Sequence, residues 1–144
     1  MKHELRTEIE IDAAPEVVWE ILVDLGRYEE WNPFITSSSG EARVGGTLVN
    51  RLEPPDAKAM TFKPKVTAVD EGKAFEWLGH LVVPGLFDGR HRFEVHAAGS
   101  GTLFRQDEYF SGILVRPMRK SLEGSTRRGF EAMNRALKER AEAQ

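Results

Sequence analysis

The 144-residue chain contains no cysteine. That absence excludes disulfides, thiol catalysis and thiolate metal sites together. No apolar run approaches the roughly 20 residues that cross a bilayer, and the opening "MKHELRTEIE" lacks the apolar core of a secretory signal. Asn-x-Ser/Thr is absent too, so nothing points to secretion and a cytoplasmic location is the default expectation. Charge of one sign is also scarce: 20 Lys and Arg against 23 Asp and Glu leave a net −3, and no nucleic-acid partner is expected. The glycine-containing stretch "SGEARVGG" lacks the Lys-Ser/Thr that would make it a phosphate cradle.

What is present is a composition of 40% hydrophobic and 30% charged residues, that of a globular protein long enough for one substantial core. A single domain over residues 1–144 is expected. The charges are distributed unevenly, with eight Lys and Arg against four Asp and Glu from Arg116 onward. Such a basic segment can guide a helix to an anionic membrane or a partner, although a solvated helix face is the simpler explanation. Nothing in the sequence sets an oligomeric state.

Read along the chain, "LRTEIEI" alternates Leu5, Thr7, Ile9 and Ile11 against charged residues, as a half-buried strand does. "DAAPEVVWEILVDL" places a proline at a first helical turn with Glu16 beside it, followed by an apolar stripe of Val18, Ile21, Leu22 and Leu25. "RYEEWNPF" is short and is stopped by Asn-Pro, which gives a brief helical turn ending near Trp31. Between residues 35 and 115 turn signals recur at short intervals around strand-like runs, the pattern of an antiparallel meander of about six strands. The last segment changes period, and Met118, Leu122, Gly129, Phe130, Met133 and Leu137 mark one side of a long helix. Gly124 suits a kink in that helix, and Gly129 a close approach to a wall or ligand.

That order of elements, with "APEVVWEILVDLGRYEEWNPF" after strand one, "PGLFDGRHRF" in the middle strands and "EYFSGILVRPM" leading into the last helix, resembles the START-like, or SRPBCC, superfamily. Within it the chain is most similar to the polyketide cyclase/dehydrase-like group. The resemblance implies an α+β helix-grip fold, in which a curved antiparallel sheet of about seven strands wraps a long C-terminal helix and leaves a cavity between them. Two short helices follow strand one. It also implies a hydrophobic small-molecule partner such as a lipid or polyketide, held without a cofactor. Some members of such families are enzymes, and the group has no single catalytic signature to carry over.

The cavity wall is therefore sought in the strand registers, which must bring apolar residues together on the buried face. With "AAGSG" as a turn, Val95 faces Phe104, Phe93 faces Gln106 and His91 faces Glu108. Across "VPGLFDG", Trp77 falls near Val95, Gly79 near Phe93 and Leu81 near His91; across "DEG", Ala68 falls near Phe75, Val66 near Trp77, Pro64 near Gly79 and Phe62 near Leu81. The expected ligand-binding wall is Phe62, Trp77, Leu81, Phe93, Phe104 and Phe110 from the sheet, with Phe130 and Met133 from the helix and Trp31 at the mouth. His91, Gln106 and Glu108 lie among them. Buried polar groups of this kind are costly unless paired, so three roles stand open for His91 and Glu108: bracing two strands, orienting a ligand, or moving a proton as acid and base. No metal site is expected, because strand parity turns His80 and His96 away from His91.

Overall fold

The computed structural model describes residues 1–144. β1 (Lys2–Ile11) buries Leu5, Thr7 and Ile11 on one face and leaves its charged residues outside. α1 (Pro15–Val23) starts on its proline and buries Val18, Trp19 and Leu22, and a 3-10 turn (Leu25–Glu30) follows at once. Asn32 then closes the turn before the next strand, its Oδ1 accepting from the backbone N–H of both Phe34 and Ile35 at 2.9 Å.

Seven strands follow: β2 (Ile35–Ser39), β3 (Val49–Leu52), β4 (Met60–Phe62), β5 (Lys65–Asp70), β6 (Ala74–His80), β7 (Asp88–Ala98) and β8 (Gly101–Ser111). They form two antiparallel sheets, a larger one in the order β1-β8-β7-β6-β5 and a smaller one in the order β2-β3-β4. Backbone bonds at 2.8 Å from Leu48 N to the Pro64 carbonyl and from Val66 N to the Gly46 carbonyl join the two. The result is one curved wall of eight strands where about seven were expected.

The C-terminal helix lies against this wall in three continuous pieces: α2 (Val115–Ser121), a π-helical turn (Leu122–Thr126) and α3 (Arg127–Glu142). The expected kink at Gly124 takes the form of that π turn. α3 buries Phe130, Met133, Asn134 and Leu137. Gly129 is where helix and wall come closest: a Cβ there would lie 2.7 Å from Cε1 of Phe34, so only a hydrogen fits beneath that ring. Phe34 in turn packs on Phe130 with ring centroids 5.4 Å apart.

The register of the β7–β8 hairpin is the expected one, pairing His91 with Glu108, Phe93 with Gln106 and Val95 with Phe104. That of β6–β7 is not: Trp77 pairs with His91 rather than Val95, Phe75 with Phe93, and Gly79 with Gly89. The difference arises at the loop, which closes between His80 and Asp88. Asp88 holds that closure, receiving the Gly85 N–H at 3.1 Å and contacting His80 Nδ1 at 2.7 Å. The displacement covers an even number of residues, so every side chain keeps its face. Trp77 thereby becomes the direct neighbour of His91, and Leu81 falls in the loop.

On the β5–β6 side, Val66 pairs with Trp77 as expected, but a bulge before Ala68 sets Val69 rather than Ala68 opposite Phe75. Phe62 belongs to β4 and pairs with Asn50, because Pro64 has no N–H with which to carry the ladder onward. Its expected place opposite Leu81 in one continuous strand is corrected accordingly.

Candidate functional site: a half-filled space between sheet and helix

The space between wall and helix is not filled evenly. At one end Phe93, Phe104, Phe130, Met133 and Leu137 are fully buried and pack on one another. Phe75, Phe93 and Phe104 form a stacked row with centroid separations of 6.1 and 5.9 Å. Each such side chain contributes about 2 kcal/mol by burial. At the other end, beside α2 and the π turn, lies a cavity of about 120 Å³. An apolar cavity of about 150 Å³ is known to admit benzene, so this one has room for roughly a single ring.

Of the residues expected at the wall, Phe62, Trp77, Leu81, His91, Glu108 and Phe110 line the cavity. Phe93, Phe104, Gln106, Phe130 and Met133 do not; they form the packed layer behind it. Trp31 is not brought to the cavity at all and sits half-buried edge-on to Tyr28, with centroids 5.1 Å apart. Its neighbour Asn32 spends its side chain on the turn.

The lining also includes Phe34, Asn50, Met60, Phe87, Met118 and Leu122, none of which register alone assigned to a pocket. Three of these had a visible signal. Asn50 is the inward polar position of "VNRL", and Met118 and Leu122 lie on the apolar stripe of the last helix. Phe87 comes from the β6–β7 loop and stacks on Phe110 with centroids 5.4 Å apart, closing one side.

His91 stands where the packed layer ends and the cavity begins. Its ring is held by aromatic neighbours, with centroids 4.6 Å from Phe93, 4.9 Å from Phe130 and 5.0 Å from Trp77. Nδ1 lies 3.1 Å from Oε1 of Glu108, which has 15% of its side chain exposed against 5% for His91. Nε2 turns the other way and lies 2.8 Å from Oε1 of Gln106. The polar chain continues inward: Gln106 Nε2 donates to Asn134 Oδ1 at 2.8 Å and Asn134 Nδ2 to Thr7 Oγ1 at 2.9 Å. Thr7 closes the circuit by donating to the Gln106 carbonyl at 2.7 Å. Asn134 and Thr7 were not foreseen in this role, although a polar residue four positions from Phe130 on an apolar helix face is a readable sign of one.

Gly89 makes room for Glu108. A Cβ at that position would overlap the carboxylate, so the bare backbone of β7 is the shelf on which the carboxylate lies. Beyond the cavity rim, the hydrogen bond to His80 holds the Asp88 carboxyl below its usual range. His96 contacts Glu94 on the other face of the sheet. No group of three His, Asp or Glu side chains converges in the geometry of a metal site.

Wall, gripped helix and the cavity between them together define a START-like helix-grip protein. The chain belongs to the "Polyketide cyclase / dehydrase and lipid transport" family, whose model matches residues 2–142. Among curated proteins none matches the sequence. Solved structures do. A START superfamily protein from Mycobacterium smegmatis superposes with a TM-score of 0.76 at 25% identity, with 98% of each chain covered. The Zhui aromatase/cyclase from Streptomyces sp. R1128 superposes with a TM-score of 0.81 at 14% identity, covering 99% of this chain and 94% of the other. The di-domain ARO/CYC StfQ from the steffimycin biosynthetic pathway gives the same TM-score and identity, and this chain spans about half its length, 52%. At such identities the last two likenesses concern the fold.

Proposed function

We propose that this protein binds a hydrophobic or aromatic small molecule in the cavity between the curved sheet and the C-terminal helix. The observation that carries the reading is the combination of an apolar wall with one placed polar pair, His91 and Glu108, 3.1 Å apart. Apolar surface supplies affinity, and a few fixed polar atoms supply orientation. Trp77, Phe110, Phe62 and Leu81 provide contact area. Phe93, Phe104, Phe130 and Met133 hold the floor rigid behind them. Membership of a family described by polyketide chemistry and lipid transport supports the same class of ligand. Native mass spectrometry and organic extraction of the purified protein test it: a co-purifying apolar molecule, released by Trp77→Ala, is the expected result. A cavity that takes up no apolar molecule, added or co-purified, overturns it.

A second reading has an observation of its own. An imidazole nitrogen beside a carboxylate at the rim of an apolar cavity is the arrangement that general acid–base catalysis requires, and aromatase/cyclases share the fold. In that reading the cavity folds a polyketide-like chain while His91 or Glu108 moves a proton. Turnover by wild type should then fall at least about a hundredfold in His91→Ala and Glu108→Gln. Unchanged rates exclude the assignment.

The basic C-terminal helix was a third candidate, as a membrane or protein contact. Half of its eight cations are paired within the fold: Arg127 with Glu123, Arg128 with Asp56, Lys138 with Glu142 and Arg140 with Glu30. No helix is long and apolar enough to cross a membrane.

A further inference from the structure

The polar chain behind His91 has a fixed direction, and that direction decides what the cavity can recognise. The Gln106 carbonyl only accepts hydrogen bonds, so the Thr7 hydroxyl proton is committed to it. Thr7 Oγ1 must then accept from Asn134 Nδ2, which leaves Asn134 Oδ1 to accept from Gln106 Nε2. The same Nε2 points at the Phe130 carbonyl, 3.3 Å away, which confirms that the amide nitrogen is on this side. Gln106 Oε1 is therefore the acceptor presented to His91, and His91 Nε2 carries the hydrogen. The nitrogen facing the cavity rim is Nδ1, beside Glu108 Oε1.

Beyond this pair the wall holds no compensating cation. No lysine or arginine lines the cavity; the remaining polar side chains are neutral Asn50 and Thr126, and His80, whose Nδ1 is taken by Asp88. Glu108 Oε2 has no donor within the protein and lies over Gly89. As a carboxylate, Glu108 presents a lone pair at Oε2. A second anion brought here would meet a carboxylate and no free donor with charge.

We propose that this end of the cavity receives a hydrogen-bond donor, a phenolic, enolic or amino group, on an uncharged or cationic apolar ligand, and rejects carboxylates. Glu108 accepts the donor; Gln106, Asn134 and Thr7 act as positioning residues that turn the Nδ1 side of His91 towards it. The inference rests on the reading that the cavity binds an apolar molecule, and it narrows that class to exclude free fatty acids and other carboxylates.

The test uses the full chain and three single-ring probes of one shape: 4-propylphenol, 4-propylanisole and 4-propylbenzoate, titrated by protein-observed NMR. The phenol is expected to bind about tenfold more tightly than the benzoate and several-fold more tightly than the anisole, which lacks the donor. In Glu108→Gln, an isosteric change on the cavity wall, the preference over the benzoate should shrink to about threefold or less. A long-range 1H–15N spectrum should place the His91 hydrogen on Nε2. Benzoate binding as tight as the phenol's overturns the inference and leaves the binding function standing, whereas failure of all three probes to bind overturns both. A neutral His91 with its hydrogen on Nδ1 overturns the positioning role of the Gln106 chain.

Discussion

The two ends of the space between sheet and helix are built from the same strands and the same helix, yet one is solid and the other hollow. At the solid end, regular α3 sets Phe130, Met133 and Leu137 against the stacked row of Phe75, Phe93 and Phe104. At the hollow end, the π turn and α2 set Met118 and Leu122 against Trp77 and Phe110 without filling the gap. His91 stands on the boundary and belongs to both. The difference teaches a division of labour: close packing at one end anchors the fold, and it frees the other end to keep a cavity whose walls need not touch.

The comparison breaks if the two ends contribute equally to stability. Phe93→Ala should cost about 3–5 kcal/mol in denaturant unfolding, since it empties a fully buried site between stacked rings. Met118→Ala, which only widens an existing space, should cost less than about 1.5 kcal/mol. The two helix glycines give the next contrast. Gly129→Ala should lose about 1–3 kcal/mol by forcing Phe34 off its seat. Gly124→Ala, whose new methyl would meet nothing nearer than an Arg128 nitrogen at 3.7 Å, should be neutral or stabilising by up to about 1 kcal/mol.

A third change separates site from scaffold. Gly89→Ala should displace the Glu108 carboxylate, shifting the His91 ring resonances and weakening phenol binding, while the melting temperature moves less than in Gly129→Ala. Loss of folding instead would place Gly89 with the scaffold.

The smallest effect concerns a carboxylate outside both ends. Asp107 is buried on the opposite face of β8 with Oδ1 unpartnered, and burial pushes its carboxyl above the usual range despite Arg105 nearby. A raised folded value means that the fold favours the protonated form. Stability is therefore greatest below the ordinary aspartate range and declines as pH rises through the raised one. Asp107→Asn stays neutral throughout, so it should raise the melting temperature slightly at neutral pH and lose that advantage in acid. No gain at neutral pH would show that the charge is accommodated.

How much of this was legible depended on what fixed each contact. The β7–β8 register followed from a tight turn and from apolar alternation, both local properties of the sequence, and it placed His91 opposite Glu108. The β6–β7 register was not legible, because side-chain contacts of Asp88 across its loop decide where that loop closes. Periodicity likewise identified the inner face of the last helix but not which stretch of it faces solid or hollow space. Phe130 and Met118 share that face, yet one lies in the packed layer and the other on the cavity wall. The polar chain to Thr7 joins residues over a hundred positions apart, so the sequence could show Asn134 as a polar residue on an apolar helix face but not the partners it reaches.

The π turn between α2 and α3 adds one residue to what would otherwise be an unbroken α-helix. Each residue of an α-helix turns it by about 100°. The π turn takes up that extra residue as a bulge: with Gly124 deleted, eleven α-helical steps of about 100°, close to three full turns, would separate Met118 from Phe130, and both would keep the face they share. The bulge thus lets α2 and α3 present one common face to the wall across an inserted residue, with Met118 and Leu122 on the cavity side and Phe130 and Met133 in the packed layer.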